Sequence, residues 1–398
     1  MNQLKSIPFL EFVALMATMM ALTALSIDAV LPALATIGND LGQLYKNNNQ
    51  LIISSFFLGL ALGQFVYGAL SDSWGRKSPI YLGMSIFVLG SIMSIFANSF
   101  GLLIASRFLQ GIGLASPRTV GMAIIRDRYK GSEMARVMSF VMMVFILVPV
   151  LAPSLGQGLL SFMNWRSIFI VILGIGMLVL FWFYQRMEET LKIEQRVPFS
   201  VQQLKKAILE IYKTPRAFYY TITSGLISGA FIGFLNSSQQ VFQEQYQLKE
   251  QFPLYFAALA SSLGAAAFLN SKLVLKYGMV RMVKIAVVML VLIACTTWGI
   301  FNLNPQATIH LWQVMTYLVL TLFFTGILFG NLSSLAMEPL GKIAGTGASI
   351  IGAFSTLIGA STGTLTGLRY NGTIIPMIEG FIIMGSLSLV IIYHTERK

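Results

Sequence analysis

The sequence predicts an all-α polytopic membrane protein: a chain of twelve transmembrane helices arranged as two six-helix bundles. Three observations lead there. Mean hydropathy is +0.75, and 56% of the 398 residues are hydrophobic, above the soluble norm of about 45–50%. Apolar runs of roughly 20 residues, the length that crosses a bilayer, recur along the whole chain. The basic residues fall on alternate connections between those runs.

In order, the runs cover residues 9–34, 49–70, 79–97, 101–125, 137–161, 167–185, 217–241, 253–275, 282–301, 308–332, 343–367 and 374–393. Lys5 followed by a long apolar stretch resembles a secretory leader, but the stretch exceeds an ordinary h-region and is expected to remain as the first helix. With the N-terminus in the cytoplasm, all but six of the 27 Lys and Arg lie in cytoplasmic connections or tails. Lys46, Arg166, Lys249 and Arg369 fall on the opposite side, and Arg107 and Arg118 fall inside runs. That asymmetry sets a topology with both termini cytoplasmic, as expected for a bacterial inner membrane. It also accounts for the net charge of +12 without nucleic acid.

The longest polar segment, Arg186 to Arg216, divides the runs six and six. The expected organisation is an N-terminal bundle over 1–186, a linker over 187–215 and a C-terminal bundle over 216–398. Within the linker, "VQQLKKAILEIY" has the apolar spacing of a helix lying on the membrane surface. Two six-helix halves suggest parallel repeats; "SKLVLKYGMVRM" after run eight stands where "GALSDSWGRKSP" stands after run two. Gly59 and Gly63 in run two, and Gly359, Gly363 and Gly367 in run eleven, have the small-residue spacing that lets helices approach closely in lipid. The single Cys295 excludes an intrachain disulfide and reads as packing. No metal-ligand cluster, nucleophile motif or Walker-type phosphate loop is visible, so neither an enzyme, a cofactor nor ATP coupling is expected.

"GALSDSWGRKSPI", Gly68 to Ile80, concentrates charge and turn-formers between two apolar runs. It resembles the loop 2–3 signature of the major facilitator superfamily, with Gly68, Leu70, Asp72, Gly75, Arg76 and Lys77 at the family's positions. "RFLQGIG" (Arg107 to Gly113) is similar to the second signature of that superfamily. "VPVLAPSLGQG" in run five resembles the antiporter motif: Pro149 lies in it, and Pro153 and Gly156 match, whereas Ala152 and Gln157 replace usual glycines. "LSIDAVLPALATIGNDLG", with "MEP" and "AGTGAS" late in the chain, resembles the Bcr/CflA branch of drug-resistance transporters, although "ASPRTV" around Arg118 is unusual there. The resemblance implies that Asp72 meets the N-terminus of span eleven across the boundary between halves. Arg76 would then bridge Asp72 to Asp127, as a clamp that breaks when the site opens inward.

Ionisable residues inside spans are costly and usually functional. Asp28, Arg107, Arg118 and Glu379 are the candidates. Arg107 and Arg118 share one face of span four, about 16 Å apart, and that face is expected to line the central cavity. Asp28 and Arg107 each fall about 9 Å outward of their span midpoints, a shared depth that makes them the candidate proton-coupling pair. Arg118, Asn236, Gln239, Gln240 and Glu379 are candidate cavity groups, and Met142 and Met143 an adaptable wall.

The resemblance implies a proton-driven exporter of drug-like or hydrophobic small molecules working by alternating access, and a monomer is expected. An exporter of an anionic metabolite, such as a carboxylate siderophore, is the alternative that Arg118 raises. A channel or an importer fits less well. The expected partners are the small-molecule cargo, protons and the lipid bilayer.

Overall fold

The computed structural model describes residues 7–303 and 309–397, so Lys5 and residue 308, where the tenth predicted run starts, lie outside the described residues. Twelve long helices are present among the described residues: Phe9–Asp28, Leu51–Trp74, Lys77–Ile95, Phe100–Arg128, Gly131–Phe162, Arg166–Arg186, Pro215–Gln239, Phe252–Tyr277, Met279–Leu303, Leu311–Met337, Ala344–Leu368 and Ile375–Thr395. They are spans one to twelve below. Eleven are long and apolar enough to cross a membrane. Span four falls short because Arg107, Gln110 and Arg118 interrupt its apolar run. Large apolar side chains such as Phe162, Leu178, Leu254, Leu303 and Val390 stand exposed on the outside, as a lipid-facing surface requires.

Small residues set the spacing between helices. A Cβ on Gly59 would collide with the carbonyl of Phe108, and one on Gly111 with the carbonyl of Phe56, so spans two and four touch backbone to backbone. Gly359 and Gly363 of span eleven meet Ser228, Gly229 and Ile232 of span seven in the same manner. Gly111→Ala is therefore expected to destabilise the protein by about 1–3 kcal/mol through overpacking, read as a lower melting temperature in detergent. An unchanged melting temperature would mean that the two helices have room to part.

The two halves repeat one turn. Gly75 after span two has φ 90 and Gly278 after span eight has φ 77, a backbone region favourable only to glycine. This is the physical content of the sequence echo between those loops. The connection between spans two and three shares one end of the molecule with the linker, since Val197 N–H donates to the Asp72 carbonyl at 3.0 Å. That end is the linker end; the other is the far end.

One sequence expectation changes here, and the linker helix gains its neighbours. Span one does not run unbroken to residue 34: it stops at Asp28, forms a 3-10 turn over Leu31–Ala33 and resumes over Leu34–Asp40. Pro32 cannot donate to the carbonyl four residues back, which is that of Asp28. The amphipathic linker helix, Val201–Lys213, is docked on protein, with Ala207 and Ile211 buried and spans seven and eleven as its neighbours. Part of its apolar stripe faces those spans, while Val201, Leu209 and Tyr212 stand exposed.

Candidate functional site

The break in span one is where several elements converge. The Ser26 carbonyl accepts from Arg107 Nη2 of span four at 2.9 Å. A Cβ on Gly156 of span five would strike the Ala29 carbonyl and approach Pro32, so only glycine lets span five lie against the break. The Pro32 carbonyl accepts from Gln243 Nε2, beyond span seven in the other half, at 3.4 Å. Asp28 sits inside this junction at 5% exposure, and among the described residues it has neither a hydrogen-bond nor an ion-pair partner. Pro149 and Pro153 both lie within span five, upstream of Gly156.

Arg107 is placed differently from its sequence expectation. It is fully buried inside the first bundle. Its Nε donates to the Ile52 carbonyl at 3.2 Å, Nη1 to Gln110 Oε1 at 2.6 Å and Nη2 to the Ser26 carbonyl. The Phe56 ring lies 4.6 Å from the guanidinium carbon, a cation–π contact. Gln110 is itself held by donating to Ser91 Oγ at 2.9 Å. Arg107 and Arg118 share a helix face, but at the level of Arg107 spans one and two close over it. It therefore ties spans one, two and four together and does not line a cavity, and it makes no ion pair with Asp28.

At the linker end, Arg76 lies between two carboxylates. Nη1 meets Asp72 Oδ1 at 2.6 Å and Nε meets Asp127 Oδ2 at 2.7 Å. Burial alone would push the Arg76 guanidinium down, but its bonds to Asp127 and Asp72 outweigh that and hold it above its ordinary value. All three residues belong to the first bundle, so this bridge does not itself cross between halves. The crossing is made by Gly68, where a Cβ would strike Ser349 of span eleven. Asp72 pairs with Arg76, one turn beyond the Gly68–Ser349 approach to span eleven.

Sequence reading missed Glu189. Its carboxylate accepts from Arg76 N–H at 2.8 Å and Lys77 N–H at 3.1 Å, capping the start of span three. Thr190 beside it donates to Asp127 Oδ2 at 3.0 Å. A Cβ on Gly75 would meet Glu189 and Arg196. The linker is thus bound to the signature loop at one of its ends and docked on spans seven and eleven at the other. The sequence shows an acid in "MEET", but nothing in it selects a helix start more than a hundred residues away.

Asn236 and Gln239 do not line an open cavity. Asn236 Nδ2 donates to Ser54 Oγ at 3.1 Å and the Gly363 carbonyl at 3.2 Å, while Gln239 Nε2 donates to Gln243 Oε1 at 3.1 Å. Further toward the far end, Gln240 Nε2 donates to Asn47 Oδ1 at 2.9 Å, and Asn47 Nδ2 to the carbonyls of Leu368 and Tyr370. Lys46 and Glu244 pair at 3.6 Å on the rim. Together these amides form a seam that joins the halves at the far end. Glu379 is engaged by Arg369 at 2.9 Å at that same end, away from the junction. Arg118 is half-buried in span four, directly after Pro117.

Comparison with known proteins agrees with this architecture. The family model described as Major Facilitator Superfamily matches residues 16–364. A bicyclomycin resistance protein homolog of Haemophilus influenzae is 30% identical over 382 residues, spanning 95% of this chain and 94% of its own. Multidrug resistance protein D of Escherichia coli is 23% identical over 347 residues, spanning 82% of this chain and 81% of its own. The xylose transporter XylE of E. coli, in a partially occluded inward-open conformation, superimposes with a TM-score of 0.73 at 12% identity. That overlap covers 98% of this chain and 97% of the other, and it speaks to fold alone.

Proposed function

The chain belongs to the major facilitator superfamily of membrane transporters, and from that premise we propose that it is a proton-coupled exporter of small molecules working by alternating access. The inner membrane of a bacterium, with the linker end in the cytoplasm, is the setting that the charge asymmetry supports. The carrying observation is Asp28: a carboxyl inside a membrane span, at a helix break, with no fixed partner among the described residues. Its surroundings belong to both halves, because Pro32 nearby is held by Gln243 across the far-end seam. When the seam opens, that contact is lost and the junction around Asp28 changes. A carboxyl without a fixed partner can take up a proton in one state and release it in the other. The resistance-protein relatives favour a drug-like or hydrophobic cargo moving outward. Purified protein in liposomes, with a pH gradient imposed, tests this: cargo flux must saturate and must collapse with an uncoupler.

In the same reading, the Asp72–Arg76–Asp127 bridge and Glu189 hold the linker end in one of its two arrangements. Hydrogen bonds to charged groups contribute about 1.5–3 kcal/mol each, enough to shift a two-state balance by tenfold or more at about 1.4 kcal/mol per decade. Asp72→Asn, Arg76→Ala and Glu189→Gln are each expected to cut transport several-fold while the chain still inserts in the membrane. Parental rates in all three would remove the clamp from the mechanism.

A further inference from the structure

Arg118, well inside span four, is a cation with no hydrogen-bond or ion-pair partner among the described residues. Span four turns Ser116 toward span three, where its hydroxyl donates to the Pro79 carbonyl at 2.7 Å, and it turns Ala115 toward Gly63 of span two. The Leu114 carbonyl accepts from Thr23 of span one at 3.5 Å, and Gly121 lies against Met20 of that span. At 100° per residue, Arg118 projects away from span three and between spans one and two, toward the interior of the transporter. Met122, one turn further on, is 37% exposed on the same side. Arg118 is half-buried and has no hydrogen-bond or ion-pair partner among the described residues.

Other charges within the spans are accounted for differently. Arg107 has two backbone carbonyls and Gln110, Glu379 has Arg369, and Glu11 has Arg186. Asp28, likewise without a partner among the described residues, does not serve Arg118. Span one meets span four in antiparallel order, so Arg118 lies level with the stretch from Met20 to Thr23. That level is roughly 10 Å along the axis from Asp28, well beyond ion-pair range. A guanidinium at that depth is costly without an anion, and its planar fork suits a carboxylate or another oxyanion.

We infer that Arg118 is the recognition point for the cargo, and that the preferred cargo is an amphipathic organic anion whose apolar body lies along the methionines at 20 and 122. The inference rests on the transporter reading and narrows its substrate class. It assigns Arg118 and Asp28 separate tasks, cargo at Arg118 and proton at Asp28, at separate depths.

Two dyes with one xanthene body and opposite charge test it: fluorescein, anionic, and rhodamine 6G, cationic. Binding to the purified full-length protein is followed by fluorescence anisotropy, with melting curves to confirm that each variant is folded. Fluorescein should bind the parent at least about tenfold more tightly than rhodamine 6G, and Arg118→Gln should lose about that factor for fluorescein alone. Arg118→Lys should retain part of the preference, since it keeps the charge without the fork. Equal or tighter binding of rhodamine 6G, no detectable fluorescein binding, or fluorescein affinity unchanged in folded Arg118→Gln overturns the inference. Liposome flux separates this from the broader reading. If parent and Arg118→Gln both move rhodamine 6G against a proton gradient, the exporter stands and the anionic specificity falls.

Discussion

Asp28→Asn is expected to reduce proton-coupled transport to the level of protein-free liposomes while leaving the protein folded and able to bind cargo. The substitution keeps the size and shape of the side chain. No hydrogen bond or ion pair is lost, because Asp28 makes none among the described residues. A loss of function here would therefore not come from a broken contact. It would come from removing the group that changes protonation as the junction of spans one, four, five and seven rearranges. The neutral amide is also spared the cost of an unpaired charge in the membrane, so the melting temperature should stay level or rise. The decisive measurement is proton release on addition of cargo to purified protein in weak buffer. Release equal to the parent would place the proton carrier elsewhere, and the sequence offers few substitutes. Glu379 is already bound by Arg369 at the far end, and Glu11 is bound by Arg186 and Trp182.

Much of this molecule was legible in the sequence, for a simple physical reason. A bilayer demands long apolar helices, so hydropathy alone locates the spans, and charge asymmetry alone suggests their direction. The residues of the signature loop were legible too, because charge in an apolar chain is conspicuous. What escaped was everything that depends on depth and rotation. Arg107 and Arg118 share a face of span four, yet one is sealed under spans one and two and the other is not. Helical periodicity gives the face but not what covers it at each level. The break after Asp28 did have a signal in Pro32, which removes the helical donor for the Asp28 carbonyl. It was masked by the unbroken apolar run around it. The far-end seam of Asn47, Asn236 and Gln240 escaped because neutral amides near span ends read equally well as cavity, seam or surface. Glu189 escaped because capping a helix remote in sequence leaves no local pattern.

Arg107 carries the other large expected effect, and its sign is opposite to what its position in the span first implied. As a proton-coupling partner, its removal would alter pH dependence and spare the fold. As the tie seen here, its removal must damage the fold. Arg107→Ala leaves the Ser26 carbonyl and Gln110 Oε1 without this donor in a fully buried site, while the Ile52 carbonyl keeps only the longer bond from Ser55 Oγ at 3.4 Å. Each orphaned acceptor costs about 1–3 kcal/mol, and the missing side chain leaves a void beneath Phe56. The expected result is loss of the monodisperse protein in detergent, or a melting temperature far below that of the parent. Arg107→Lys keeps the charge near Phe56 but cannot reach three separate acceptors with one ammonium, so it should fall between the two. Asp28→Asn provides the contrast, since it should leave folding intact. If Arg107→Ala instead melts with the parent and differs only in the pH dependence of cargo binding, the tie is dispensable. Arg107 then acts on Asp28 through its charge, and the separation between a structural residue in span four and a proton carrier in span one disappears.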